Sequence, residues 1–379
     1  LNTLIRNQLT RHPQTENAIR NLRMIRRREI LRIAMGEAAN LLDIQEVSHG
    51  LSTIDQVTIE GALQIAQRER YLEQNAEPLT DVAVIAMGRQ GGREIGYGSD
   101  ADLMYVHQPR PGAEAQEAVR EANELIQRMV QLLKQPCKPA IRAEKVLEID
   151  ADLRPEGKSG SMVRSLDSYR EYYERWADTW EFQALLRARP IAGSYELAAS
   201  FTDLINHYRY PVRFEQKQIV EIRRMKARVE NERMPRGADR NRQLKLGRGG
   251  LSDVEWIVQL LQLCKAHEYP ELKVTGTLEA LDAAESLGLL AHDDVAILRE
   301  AWHLATKIRG CNVLRTGRAS DVLTAVRTDL EAIARWCGYE PGHARDLEED
   351  YLRITRHARQ TYERLFFDTD LLSLEGSAG

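Results

Sequence analysis

Apolar residues recur near helical spacing through residues 15–71, where Ile19, Leu22, Ile25 and Ile33 alternate with arginines. This period predicts amphipathic helix. A second helix is expected to start at Leu51-Ser52-Thr53, with Ile59, Leu63 and Ala66 behind it. The period then changes. Val82-Ala83-Val84-Ile85-Ala86-Met87 is a short apolar run ending in glycine, which fits a buried strand better than a helix. Residues 102–106 read as a second strand, closed by a turn at Pro109 and Pro111. Ala118, Ala122, Ile126, Met129 and Leu133 mark an amphipathic helix that stops before Pro136. Residues 146–150 read as a third strand. From Asp167 onward helix dominates. Tyr169, Tyr173, Trp176 and Trp180 form an aromatic stripe that is expected to pack in the core. From Pro211 to Phe367 almost every stretch has helical periodicity, and the tail after Thr369 is expected to fray.

A chain of 379 residues has room for one large domain or two to three smaller ones. With 43% hydrophobic and 29% charged residues it is globular in composition. The net charge of −4 provides no overall field for nucleic acid or an anionic membrane. The four cysteines, Cys137, Cys264, Cys311 and Cys337, form no C-x-x-C pair, so a disulfide framework or zinc site is not expected and a reducing cytoplasm is. No membrane-length apolar run and no signal-peptide pattern is visible. The chain opens at Leu1 inside helical-looking sequence, which reads as a piece of a longer polypeptide. The run Arg26-Arg27-Arg28 reads as a solvated helix face, with phosphate contact as the alternative.

The densest chemistry lies in GRQGGREIGYGSDAD, residues 88–102. Strand residues two apart share a face, so Asp100 and Asp102 at the start of a strand project into one volume. Like charges there repel unless a cation sits between them. Mg²⁺ takes oxygen ligands and is often held by one or two carboxylates with substrate phosphates. Gly88, Gly91 and Gly92 let backbone N–H groups approach phosphate oxygens. A helical turn after Gly92 would favour the same anion, and Ser99 adds a hydroxyl. Together these suit in-line displacement at phosphorus with two metals. A third carboxylate would complete the ligand set and take the nucleophile's proton. Asp150 in EIDADLRPEG is the first candidate, with Asp152 on the same face as its competitor.

A glycine pair, Asp100-x-Asp102 and a later strand aspartate resemble the nucleotidyltransferase fold of DNA polymerase β-like enzymes. A narrower resemblance rests on GRQGGREIGYGSDADLMYVH, DADLRPEGKSGSMVRS, WEFQALLRARPIAG and KLGRGGLSDVEWIVQLLQL. In that order they resemble the glutamate–ammonia ligase (glutamine synthetase) adenylyltransferase family, over nearly the whole chain. The family's full-length protein has two homologous halves. One adds AMP from ATP to a tyrosine of glutamine synthetase, and the other removes it by phosphorolysis. GYGSDAD, ARVENERMPRGAD and an end soon after ERLFF resemble the C-terminal, transferase half of actinobacterial-type members.

The resemblance implies an α+β chain: a polymerase-β-like nucleotidyltransferase domain with a small mixed sheet, then an all-α helical bundle. The expected divisions are an N-terminal helical segment at 1–75, a catalytic domain at 76–215 and a helical bundle at 216–379. It also implies Asp100, Asp102 and Asp150 as metal ligands and catalytic residues, and Gly91 and Gly92 as triphosphate contacts. Arg154 of the LRP motif is implied near the phosphates. Many relatives carry a basic residue where this chain has Asp152. The implied cofactors are two Mg²⁺ ions, with Mn²⁺ as substitute, and ATP as substrate. The implied partners are glutamine synthetase, a PII-type signalling protein, glutamine and the other homologous half. The alternatives are the adenylyl-removing half or a catalytically silent partner-binding module.

Ser252-Asp253-Val254-Glu255 reads as a capping box with Ser252 as N-cap. The family's G-G-x-x-D-x-E segment also makes Asp253 and Glu255 candidates for facing the cleft. Lys245, Arg248 and the stripe Arg223, Arg224, Lys226 and Arg228 are read as a solvated surface, with ATP phosphates or an acidic partner as the alternative. Lys158 in PEGKSG is placed to neutralise pyrophosphate, or is a surface lysine.

Overall fold

The computed structural model describes residues 14–73, 75–142 and 144–368, together with Thr3, Asn7 and Arg11. The tail after Thr369 lies outside the described residues. The chain divides into two compact units. The first comprises Leu1–Ile95, Ser99–Ala177 and Arg187–Asn206, and the second Gly96–Gly98, Asp178–Leu186 and His207–Gly379. No described helix is long and apolar enough to cross a membrane.

The first unit opens with α1 (Thr15–Ala38) and α2 (Ile44–Arg68). The start of α2 is not Leu51. Asp43 is its N-cap, with the Glu46 amide donating to Asp43 Oδ1 and the Asp43 amide to Glu46 Oε2, both at 2.8 Å. Such a box contributes about 1 kcal/mol. Leu51 and Ser52 are buried inside the helix instead. The strands are β1 (Thr80–Ala86), β2 (Ala101–Pro109), β3 (Ile149–Asp150), β4 (Val163–Ser165) and β5 (Arg189–Gly193). Between them run α3 (Gly88–Gly91), α4 (Ala115–Lys134) and α5 (Leu166–Arg175).

The sheet order is β3-β2-β1-β5. β1 pairs antiparallel with β2 and β5. β3 and β4 pair parallel with successive stretches of β2, at Ala101 and Asp102 and then at residues 105–107. Val82, Val84, Ala86, Leu103 and Tyr105 share one buried cluster with Leu22 and Leu63 of the helix pair and with Ile126 and Met129 of α4. This fixes the sheet on its helical backing.

The third strand is shorter than the apolar run suggested, because only Ile149 and Asp150 find partners on β2. β4 and β5 were not read from the sequence: one has three residues, and the other contains Pro190. The aromatic stripe is also only half right. Tyr169 and Tyr173 are buried, but Trp176 is 73% exposed. The stripe assumed one continuous helix. α5 ends at Arg175, and Asp178 caps a new helix, α6 (Thr179–Leu185), so the spacing loses its register.

In the second unit α6 is joined by α8 (Gln216–Glu232), α9 (Leu251–Lys265), α10 (Thr277–Ser286), α11 (His292–Thr316), α12 (Arg327–Cys337) and α13 (Ala344–Phe366). α7 (Tyr195–Arg209) lies between β5 and α8 in sequence. Ile222, Ile257, Leu261, Trp302, Leu347 and Phe366 belong to one continuous core cluster. Helical periodicity overreached at residues 233–250, a run of turns between α8 and α9.

Candidate active site

β2 presents Asp102 toward β3, and the parallel register sets Asp102 opposite Asp150. Asp100 stands just before β2 and is exposed, while Asp102 and Asp150 are half-buried. One carboxylate oxygen from each of the three lies within 4.8 Å of the others. Three hard oxygen donors at this separation repel one another when alone and suit a Mg²⁺-type ion. The donor set therefore suits a hard divalent cation.

Asp150 and Asp152 separate in role. Asp150 Oδ1 accepts the Asp152 amide at 2.7 Å, a turn that fixes its carboxylate. Asp152 instead faces cations: Lys158 Nζ at 3.3 Å and Arg154 Nη1 at 3.8 Å. Asp150 joins the cluster and Asp152 does not.

The glycines work differently from the expectation. The helical turn is α3, before Gly92 rather than after it. The Gly91 and Gly92 amides donate to Met87 O at 2.8 Å and Gly88 O at 3.1 Å within this turn. Gly91 is needed for close packing: a Cβ there would lie 1.7 Å from Arg187 O. Gly88 bears on the carboxylates directly. Its φ is +50°, and a Cβ would lie 2.1 Å from Asp102 Oδ2. The sequence signal was there, a glycine just after a buried strand, and here it marks room for the acid. Gly88→Ala is expected to cost about 1–2 kcal/mol for the left-handed backbone and to displace Asp102. Thermal unfolding together with Mn²⁺ titration checks this, and wild-type values in both would contradict it.

Arg154 is also reassigned. Its guanidinium donates to Ala151 O at 2.6 Å, Gly160 O at 3.1 Å and Lys158 O at 3.2 Å, so it staples the loop after Asp150. Lys158 is 84% exposed. Ser99 is half-buried beside Asp100.

Lys245, Asp253 and Glu255 lie in the second unit. Ser252 is not an N-cap, since α9 begins at Leu251 with Gly250 as its cap. Asp253 is fully buried: Oδ1 accepts Lys226 Nζ at 2.6 Å, and Oδ2 accepts the Gly249 amide at 2.8 Å and Arg359 Nη1 at 3.1 Å. It faces the core of its unit rather than a cleft. Lys226, read as part of a solvated stripe, is 2% exposed and also bonds Ser252 and Glu230. Burial alone would raise Glu230, but Lys226 and Arg359 hold it below the usual carboxylate range. Arg223 Nε donates to Phe366 O at 3.0 Å, whereas Arg224 and Arg228 are exposed as expected. Lys245 is half-buried and Glu255 sits half-buried on α9.

A small mixed sheet bearing a carboxylate triad, with a helical region after it, defines an α+β protein of the nucleotidyltransferase type. The family model described as glutamate-ammonia ligase adenylyltransferase matches residues 1–204. The chain belongs to that family. A second family model, GlnD PII-uridylyltransferase, matches residues 223–366. Similar curated relatives are the bifunctional glutamine synthetase adenylyltransferase/adenylyl-removing enzymes of several bacteria. That of Corynebacterium efficiens is 43% identical over 96% of this chain and 34% of the relative. That of Streptomyces avermitilis is 46% identical over 93% of this chain and 36% of the relative. That of Mycobacterium tuberculosis is 42% identical over 94% of this chain and 35% of the relative. The chain thus spans about a third of the length of the curated relatives it matches.

Proposed function

We propose that this chain transfers AMP from ATP to a tyrosine hydroxyl of glutamine synthetase, with release of pyrophosphate, in the bacterial cytoplasm. The observation that carries the reading is the carboxylate triad in a chain of this family. Asp100, Asp102 and Asp150 would hold Mg²⁺, or Mn²⁺ in its place, and two such ions would stabilise charge on the attacking and leaving oxygens. A phenol ionises near pH 10, so the tyrosine needs a proton acceptor at neutral pH. Asp150, whose carboxylate is fixed by the Asp152 amide, would take that proton, or a metal ion held there would lower the barrier to losing it. As that proton moves, the phenolic oxygen bonds to the α-phosphorus and the bond to the pyrophosphate oxygen breaks. Ser99 and the exposed Lys158 are the groups assigned to the phosphates, and Arg154 shapes the loop that carries Lys158. We assign regulation by a PII-type signalling protein and by glutamine to the second unit, a reading supported by its match to a PII-uridylyltransferase family.

Intact-mass spectrometry of glutamine synthetase subunits tests this. With the chain, ATP and Mg²⁺, a gain of one AMP per modified subunit is expected. AMP-modified subunits with phosphate form the parallel reaction, and loss of AMP there without gain in the first would assign the adenylyl-removing activity instead. No change in either reaction would point to a requirement for the other homologous half or an effector, and absence of Mg²⁺-dependent ATP binding would then leave a partner-binding role.

A further inference from the structure

Residues 135–148 join α4 to β3 with no helix or strand among the described residues. Carbonyls of such a segment must find donors outside regular structure, and long irregular loops inside a compact unit usually serve a site. Here the donors come from α1. Arg20 Nε donates to Pro139 O at 3.2 Å, Arg26 Nη1 to Lys145 O at 3.0 Å and Arg27 Nη1 to Arg142 O at 2.6 Å. Arg23 Nη1 reaches Leu132 O at 3.2 Å and Gln135 O at 2.5 Å, and its Nε meets Glu144 Oε1 at 2.5 Å. The helix supplying them is itself fixed. Arg26 Nε bonds Asp55 of α2 at 2.7 Å, and Asp55 is buried. At its far end the segment is seated by buried Leu147, and the Ala101 amide donates to Glu148 O at 2.8 Å. The next residues are Ile149, whose carbonyl accepts Lys134 Nζ at 3.2 Å, and Asp150.

We infer that Arg20, Arg23, Arg26 and Arg27 are positioning residues for Asp150. They fix the path of residues 135–142 and 144–148 so that the third carboxylate arrives beside Asp100 and Asp102. Neither sequence reading of Arg26-Arg27-Arg28 covers this, because Arg26 and Arg27 donate to the protein's own backbone carbonyls while Arg28 bonds Glu29. The inference rests on the triad being the metal site proposed above.

The test uses Arg20→Ala/Arg27→Ala, which removes two carbonyl contacts made by arginines that are not buried. Arg28→Ala is the control, since its guanidinium bonds Glu29 on its own helix. Two readouts need no turnover: hydrogen exchange over residues 136–150, and Mn²⁺ affinity by electron paramagnetic resonance without nucleotide. The double variant is expected to exchange faster there and to bind Mn²⁺ about tenfold more weakly, the scale seen when an outer support of a metal site is removed. Arg28→Ala should match wild type. Arg20→Lys/Arg27→Lys should recover part of the affinity, because an ammonium still donates. Unchanged exchange, or faster exchange with unchanged affinity, overturns the positioning role. If wild type binds Mn²⁺ no better than Asp100→Asn, the triad reading is what fails, and the positioning role falls with it.

Discussion

Asp102→Asn is expected to abolish AMP transfer while the protein stays folded. The amide matches the carboxylate in shape, so the close approach over Gly88 is kept. What it loses is a charge at the centre of the triad. Metal stabilisation of a phosphoryl transition state is worth several kcal/mol, and about 4 kcal/mol corresponds to about a thousandfold in rate. The stability effect has the opposite sign without metal, because removing one of three neighbouring carboxylates relieves repulsion. Wild type should therefore gain melting temperature as Mn²⁺ is added, through binding to the folded state. The variant should start at least as stable and gain little. Transfer near the wild-type rate, or an undiminished Mn²⁺ response, would remove Asp102 from the site.

Asp253→Asn should produce the largest loss of stability. It leaves Lys226, 2% exposed, with Glu230 as its remaining anionic partner, and Arg359 with one fewer. Breaking a buried ion pair from one side costs up to about 3–5 kcal/mol when the remaining charge has no partner, and here Glu230 leaves the Lys226 ammonium only partly compensated. Lys226→Met/Asp253→Asn is expected to recover most of that loss. It removes the buried ammonium that Glu230 alone would otherwise have to balance, keeps an oxygen for the Gly249 amide, and leaves Arg359 facing Glu230 at 3.2 Å. Urea unfolding of the wild type and both variants measures the coupling. A double variant no more stable than Asp253→Asn would show that the network does not act as a unit.

Local pattern was enough for much of this chain. The run at 82–87 is buried on both faces and so read as a strand at once. The helix at 115–134 announced itself through apolar residues at 118, 122, 126, 129 and 133 and a proline just past its end. The S-D-x-D spacing put two carboxylates within two residues of each other, and they do meet, although Asp100 lies just before β2 rather than in it. Motif order supplied the family. What failed were statements about residues that meet across the sequence. Whether Asp150 or Asp152 joins the triad depends on the pairing of two residues of β3 with β2 and on a turn closed by the Asp152 amide. Lys226 and Asp253 are charged, and charge alone suggests solvent; only the packing of α8, α9 and α13 makes each the other's environment. The need for glycine at 91 comes from the approach of the Arg187 carbonyl, a neighbour far along the chain. The sequence by itself determined the class of chemistry and the elements that bear it, because residue type and short-range period suffice for those. The tertiary structure alone decided which carboxylate completes the triad and which cations hold the chain rather than a ligand, because burial and hydrogen-bond partnership arise from residues distant in sequence.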